Sequence, residues 1–204
     1  MFALVNKSDN SITRMLSGNQ GITVDGVQHP KAIFSLWTES ERNAINIYTV
    51  EVDDSKRKDE EWYINTDITY SFDGSKAKSA YGDATAKAHA DTLWTAQDES
   101  DGKGTEGEVK DEGLKTKLIR DIKKQAASEL AKTDWYVVRK TEESTAIPSA
   151  VTTHRKAVRS KQAAMETSIT NASDTPALET LYTYTKQEDG SFTRPLGEIP
   201  SKEF

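Results

Sequence analysis

Three histidines, His29, His89 and His154, are the residues best suited to metal or proton-transfer chemistry in this chain of 204 residues. They fall in different segments, and no H-x-x-x-H or H-E-x-x-H spacing pairs any of them. The chain has no cysteine, which excludes disulfides, thiolate-bound zinc and thiol catalysis. Asp98, Ser100 and Asp101-Gly102 approach a calcium loop, but the glycine stands one place early and no glutamate follows at the twelfth position. Gly102-Lys103-Gly104-Thr105 fails as a phosphate loop. Gln97 stands where the leading glycine is needed, and Gly104 replaces the hydroxyl residue after the lysine. No G-x-S-x-G elbow presents a serine nucleophile. We therefore expect no catalytic residue, no cofactor and no metal.

The most informative run is Thr133–Arg159, TDWYVVRKTEESTAIPSAVTTHRKAVR. Its pattern predicts an amphipathic helix that breaks at Thr-Asp-Trp, a short extended connector containing Arg139, and a second helix that starts near Pro148. Asp134 can bond backbone amides freed at the break, and Trp135 can plug the open end of the helical pair. Arg155 and Arg159, four residues apart, share a helix face and can reach Asp134, Glu142 or Glu143. Two roles stay open for these residues: holding the helical hairpin together, or touching a partner directly.

The elements that must position them follow from periodicity. Phe2–Val5 and Ser11–Leu16 read as an opening hairpin around a polar turn, and Asp25-Gly26 marks a second turn inside Ile22–Val27. Trp37 closes an apolar patch, and Thr38-Glu39-Ser40-Glu41 forms a capping box for a helix reaching about Asn46. Ile47–Val52 alternates as a strand. Glu61–Phe72 and Lys76–Tyr81 flank Asp73-Gly74, with Trp62, Ile64, Ile68, Tyr70 and Phe72 on one expected packed face. Ala84–Gln97 is expected to be a helix anchored by Leu93 and Trp94, and Asp98–Gly107 a flexible linker. Leu114, Leu118, Ile119, Ile122, Ala126 and Leu130 recur at helical spacing. Val151, Val158 and Met165 do so in the second helix, with Ala150, Ala157 and Ala164 as a small-residue stripe for close approach. After Asn171–Asp174 come a short helix from Thr175-Pro176, a hairpin of Leu181–Thr185 with Ser191–Thr193, and an extended tail.

The expected fold class is α+β. A small N-terminal β-rich module (1–55) precedes a β-hairpin, helix and linker (56–106). An antiparallel helical hairpin (107–173) and a C-terminal hairpin and tail (174–204) follow. The hydrophobic fraction of 35% is low, so the core is thin and the protein leans on partners or homo-oligomerisation. The net charge of −6 is unevenly spread: 13 Lys/Arg stand against 7 Asp/Glu between Lys110 and Lys161, and 14 against 26 elsewhere. Lys123, Lys124, Arg155 and Arg159 are thus expected on a basic face that steers an acidic partner, while the open edges of the hairpins offer strand pairing. Met1–Leu16 lacks the apolar run of a signal peptide, and no stretch is long enough to span a membrane.

The order of helix, Asp134-Trp135 step, connector with Pro148, and helix with Arg155, Val158 and Arg159 resembles the tail-assembly proteins of bacteriophages, encoded beside tail-fibre genes. Trp37, the acidic helix after it and the strand Ile47-Tyr48-Thr49-Val50 are similar to the N-terminal part of many such proteins. The chain departs from the family where His154 replaces a tyrosine and Glu143-Ser144 a glycine-containing turn. The resemblance implies a non-enzymatic, chaperone-like factor that binds tail-fibre or other tail and baseplate subunits. It would work in the host cytoplasm during assembly, or stay in the virion tail as an adaptor. A nucleic-acid-binding packaging factor ranks last, because Arg155–Lys161 lacks aromatic interleaving and a recognisable binding motif.

Overall fold

Alternation of inward and outward residues along Phe2–Asn6 (β1) makes it a strand with two covered faces rather than one. It pairs antiparallel with Ser11–Leu16 (β2) and, on its other edge, with Ile47–Asp53 (β5). Between these lie the tight hairpin Ile22–Val24 (β3) and Val27–His29 (β4), the single turn Ile33–Leu36 (α1) and the short helix Glu39–Ala44 (α2). The β3–β4 turn requires positive φ at both central residues, 49° at Asp25 and 81° at Gly26; this is the turn chemistry of Asp-Gly. The capping box of α2 forms as expected: Thr38 accepts from the Glu41 amide, and the Glu41 carboxylate accepts from the Thr38 amide at 2.7 Å.

The computed structural model describes residues 1–204, which divide into two units, Met1–Thr85 and Ala86–Phe204. The fold is α+β, as the periodicity predicts. In the first unit, Tyr63–Ile64 (β6), Thr69–Phe72 (β7) and Ala77–Ala80 (β8) follow β5. β8 pairs parallel with β5 and antiparallel with β7, which gives a five-stranded sheet in the order β2-β1-β5-β8-β7. This pairing places the 69–80 hairpin in the same sheet as the N-terminal strands, so that hairpin shares one core with the expected N-terminal module. One face buries Ala3, Val5, Tyr48, Val50, Phe72 and Ala77. The other packs Ile47 with Leu16, Ile22, Val24 and Ile33. The expected apolar face of Glu61–Phe72 is not continuous. Trp62 and Phe72 are buried, while Ile64, Ile68 and Tyr70 are exposed, because only four residues at its end join the sheet and as its outer strand.

After Thr85–Ala86 (β9), the chain corrects two further expectations. Ala84–Gln97 is not a helix. Adjacent Leu93 and Trp94 give no stripe at helical spacing, and the backbone is used elsewhere: the Ala88 and His89 carbonyls accept from the Leu114 and Lys115 amides. Asp91 accepts from the Gly113 amide at 2.7 Å and the Thr116 hydroxyl at 2.8 Å. Nor is Asp98–Gly107 an open linker. Thr92–Leu93 (β10) pairs with Val109–Asp111 (β11), and Ala96–Ser100 (α3) between them starts at a Thr95–Asp98 capping box.

The remainder is helical. Leu114–Ala131 (α4) and Ser149–Asn171 (α6) pack antiparallel, as expected; Lys115 reaches the Thr170 carbonyl near one end, and His154 meets Glu129 near the other. Ile122, Ala126, Val151, Val158, Met165 and Ile169 form the buried seam. Ala150, Ala157 and Ala164 face outward instead, so they do not mediate the approach. The connector is the largest departure, since Asp134–Glu143 is a third helix (α5) and not an extended segment. Thr175–Tyr182 (α7), capped by Asp174, absorbs part of the expected strand Leu181–Thr185; the terminal hairpin is reduced to Thr185–Lys186 (β12) with Phe192–Thr193 (β13). No helix is long and apolar enough to cross a membrane.

Candidate interaction surface

The Asp-Trp step marks the start of α5 as well as the end of α4. Thr133 is fully buried and its hydroxyl donates to the Leu130 carbonyl. Arg155 of α6 closes this corner. Its Nη1 donates to the Leu130 carbonyl, to Thr133 Oγ1 and to the Asp134 carboxylate, each at 2.8 Å. The expected Arg155–Asp134 contact therefore forms, and its role is architectural: it fastens the α4–α5 turn to α6. Arg159, one turn on, faces solvent. Pro148 is the N-cap residue of α6 and is exposed.

Trp135 is the clearest correction. It does not plug the helical pair; it is 51% exposed. Its ring lies against Tyr136 with centroids 3.7 Å apart, and the Arg139 guanidinium sits 4.7 Å above it. None of the ten residues of α5 is buried, and Val137 and Val138 are exposed with Trp135. A helix this short is marginal in isolation, and its packing normally stabilises it. Here its apolar side chains meet water. Arg139, flanked by both aromatic rings, keeps its Nε away from solvent with no hydrogen-bond partner.

The other expected site residues are dispersed. Lys123 approaches Glu166 at 3.9 Å, and Lys124 approaches Asp121 at 3.5 Å, so each has an acidic neighbour. With Ile119 and Ala127 they line an open depression of about 560 Å³. Trp37 belongs to the first unit. It packs against the cluster of Ile33 and Ile47 and meets His29 edge-on at 5.6 Å.

Periodicity gave a signal at Glu129 and His154 that the motif reading passed over. Both occupy core positions: Glu129 follows Ile122 and Ala126 on α4, and His154 lies between Val151 and Val158 on α6. They are 6% and 7% exposed, and His154 Nε2 lies 2.9 Å from Glu129 Oε1. Lys132 pairs with Glu129 at 2.8 Å. This lysine, with the Lys202 amide and His154, outweighs burial and holds the Glu129 carboxyl down to about 2. No three His, Asp or Glu side chains gather as a metal cage. No family model, no curated protein and no solved structure matches this chain.

Proposed function

We propose that this chain is a non-enzymatic bacteriophage tail protein. It resembles tail-fibre assembly proteins and binds fibre or tail subunits to promote their folding, oligomerisation or attachment. The family reading rests on the sequence resemblance around Asp134, Trp135, Pro148 and Arg155. The observation that carries partner binding is α5, a helix with no buried residue that presents Trp135, Val137 and Val138 to solvent. Contiguous exposed apolar patches mark protein-binding faces, and tryptophan, tyrosine and arginine, all present on this helix, are the residue types enriched among those that dominate interface energy.

A second reading keeps the protein in the virion tail, baseplate or fibre as an adaptor. It is favoured by exposed apolar residues on the first unit as well, Ile64, Ile68 and Tyr70 among them, since a permanent neighbour would cover both sets. Co-expression with the neighbouring fibre or tail gene tests the shared claim: a co-purifying complex lost on Trp135→Ala supports it. No complex, together with unchanged infectivity when the gene is deleted, refutes it. Mass spectrometry of purified virions separates the readings, because abundant peptides favour the adaptor and their absence favours the assembly factor.

A further inference from the structure

The tail after β13 has an anchor and an arm. Leu196 is 2% exposed; its amide donates to the Leu181 carbonyl, and its carbonyl accepts from Lys161 Nζ at 2.7 Å. Ser201–Phe204 are all exposed, yet they lie on the buried Glu129–His154 pair. The Lys202 amide donates to Glu129 Oε1 at 3.0 Å and the Ser201 hydroxyl reaches Glu129 Oε2 at 3.4 Å. Glu203 faces Lys132 at 3.6 Å, and the Phe204 ring sits 5.1 Å from the His154 imidazole.

We propose that the cleft between the C-terminal end of α4 and the N-terminal half of α6 is a peptide-binding site occupied in cis by Ser201–Phe204. Its ligand class is an extended segment with a free backbone amide two residues before an aromatic side chain and an acidic residue between them. This inference is independent of the α5 surface.

Three observations carry it. A carboxylate and an imidazole stand at positions where the helical seam would accept apolar residues, and burying them costs stability unless they are hydrogen-bonded. The arm makes a main-chain bond, two contacts of the Ser201 hydroxyl (with Glu129 and, at 3.5 Å, with Lys132), an ion pair and a ring contact there, all of which another segment could supply. Pro200 biases Ile199 to an extended backbone, which prepares the arm for a cleft that reads main chain.

The test uses the full-length Lys202→Pro/Phe204→Ala chain, in which the arm lacks both its amide donor and its ring. The probe is a fluorescent peptide of residues 199–204. The peptide should bind this variant and bind the wild-type chain at least about tenfold more weakly, because the tethered arm competes at high effective concentration. A peptide carrying proline in place of Lys202 should not bind. No binding to the variant, or equal binding of both peptides, overturns the proposal. If the variant does not fold, amide exchange in the wild-type chain decides: the Lys202 amide should exchange at least about tenfold more slowly than in the free peptide. Equal rates overturn the proposal.

Discussion

Replacing Trp135 by alanine discriminates between a core tryptophan and a surface one. A tryptophan plugging the helical pair would cost roughly 3–5 kcal/mol on truncation. The side chain is instead 51% exposed, and its ring contacts are Tyr136 and Arg139 on its own helix. Half of a full-burial contribution of roughly 3 kcal/mol remains. Part of that is recovered by the better helix propensity of alanine. The expected loss is therefore about 1 kcal/mol. Ile122, 1% exposed in the α4–α6 seam, supplies the control, and Ile122→Ala should cost about 2–5 kcal/mol. Urea unfolding followed by helical circular dichroism measures both, provided the slope against denaturant is unchanged. The same Trp135→Ala chain should lose its partner in co-purification despite its near-native stability. A stability loss matching that of Ile122→Ala would refute the surface assignment, and with it the argument that α5 awaits a partner.

Arg155→Ala should destabilise the helical unit by about 2 kcal/mol, since it removes charge-assisted hydrogen bonds to the part-buried Leu130 carbonyl and Thr133 hydroxyl. Lys123→Glu should cost under about 1 kcal/mol in the same urea assay, because its ion pair is exposed; only the second is a clean probe of charge steering. The Glu129 carboxyl lies below its ordinary value of 4.5, at about 2. Its contribution is therefore complete above that ordinary value and fades as pH falls toward 2. Acid titration of stability should accordingly be shallower in Glu129→Gln than in the wild-type chain. Gly113→Ala should cost about 1–3 kcal/mol by thermal or urea melting, because the added carbon would clash with the Ala90 carbonyl group of the backbone.

Local rules sufficed wherever one element answers to its own residues. The hairpin turn at Asp25-Gly26, the Thr38–Glu41 capping box, the strand Ile47–Asp53 and the apolar stripes of α4 and α6 were all legible, because each depends on neighbours within a few positions. The α+β class follows from their sum. Failures came where a backbone group or side chain is satisfied from afar. Ala84–Gln97 has helix-forming composition, but its carbonyls and Asp91 serve the start of α4. Ile64, Ile68 and Tyr70 share the right parity, yet only strand pairing decides which of them reaches the core. Trp135 carries the same indole whether it fills a cleft or faces water. Sequence by itself determined α2, α4, α6, the Asp25-Gly26 turn and the strands β1, β2 and β5, and it offered Asp134 as one of three carboxylates within reach of Arg155. Tertiary structure alone decided that α5 is helical and uncovered, and that Glu129 and His154 meet beneath the tail. Burial and long-range hydrogen bonding depend on which distant surfaces meet, and no short-range periodicity encodes that.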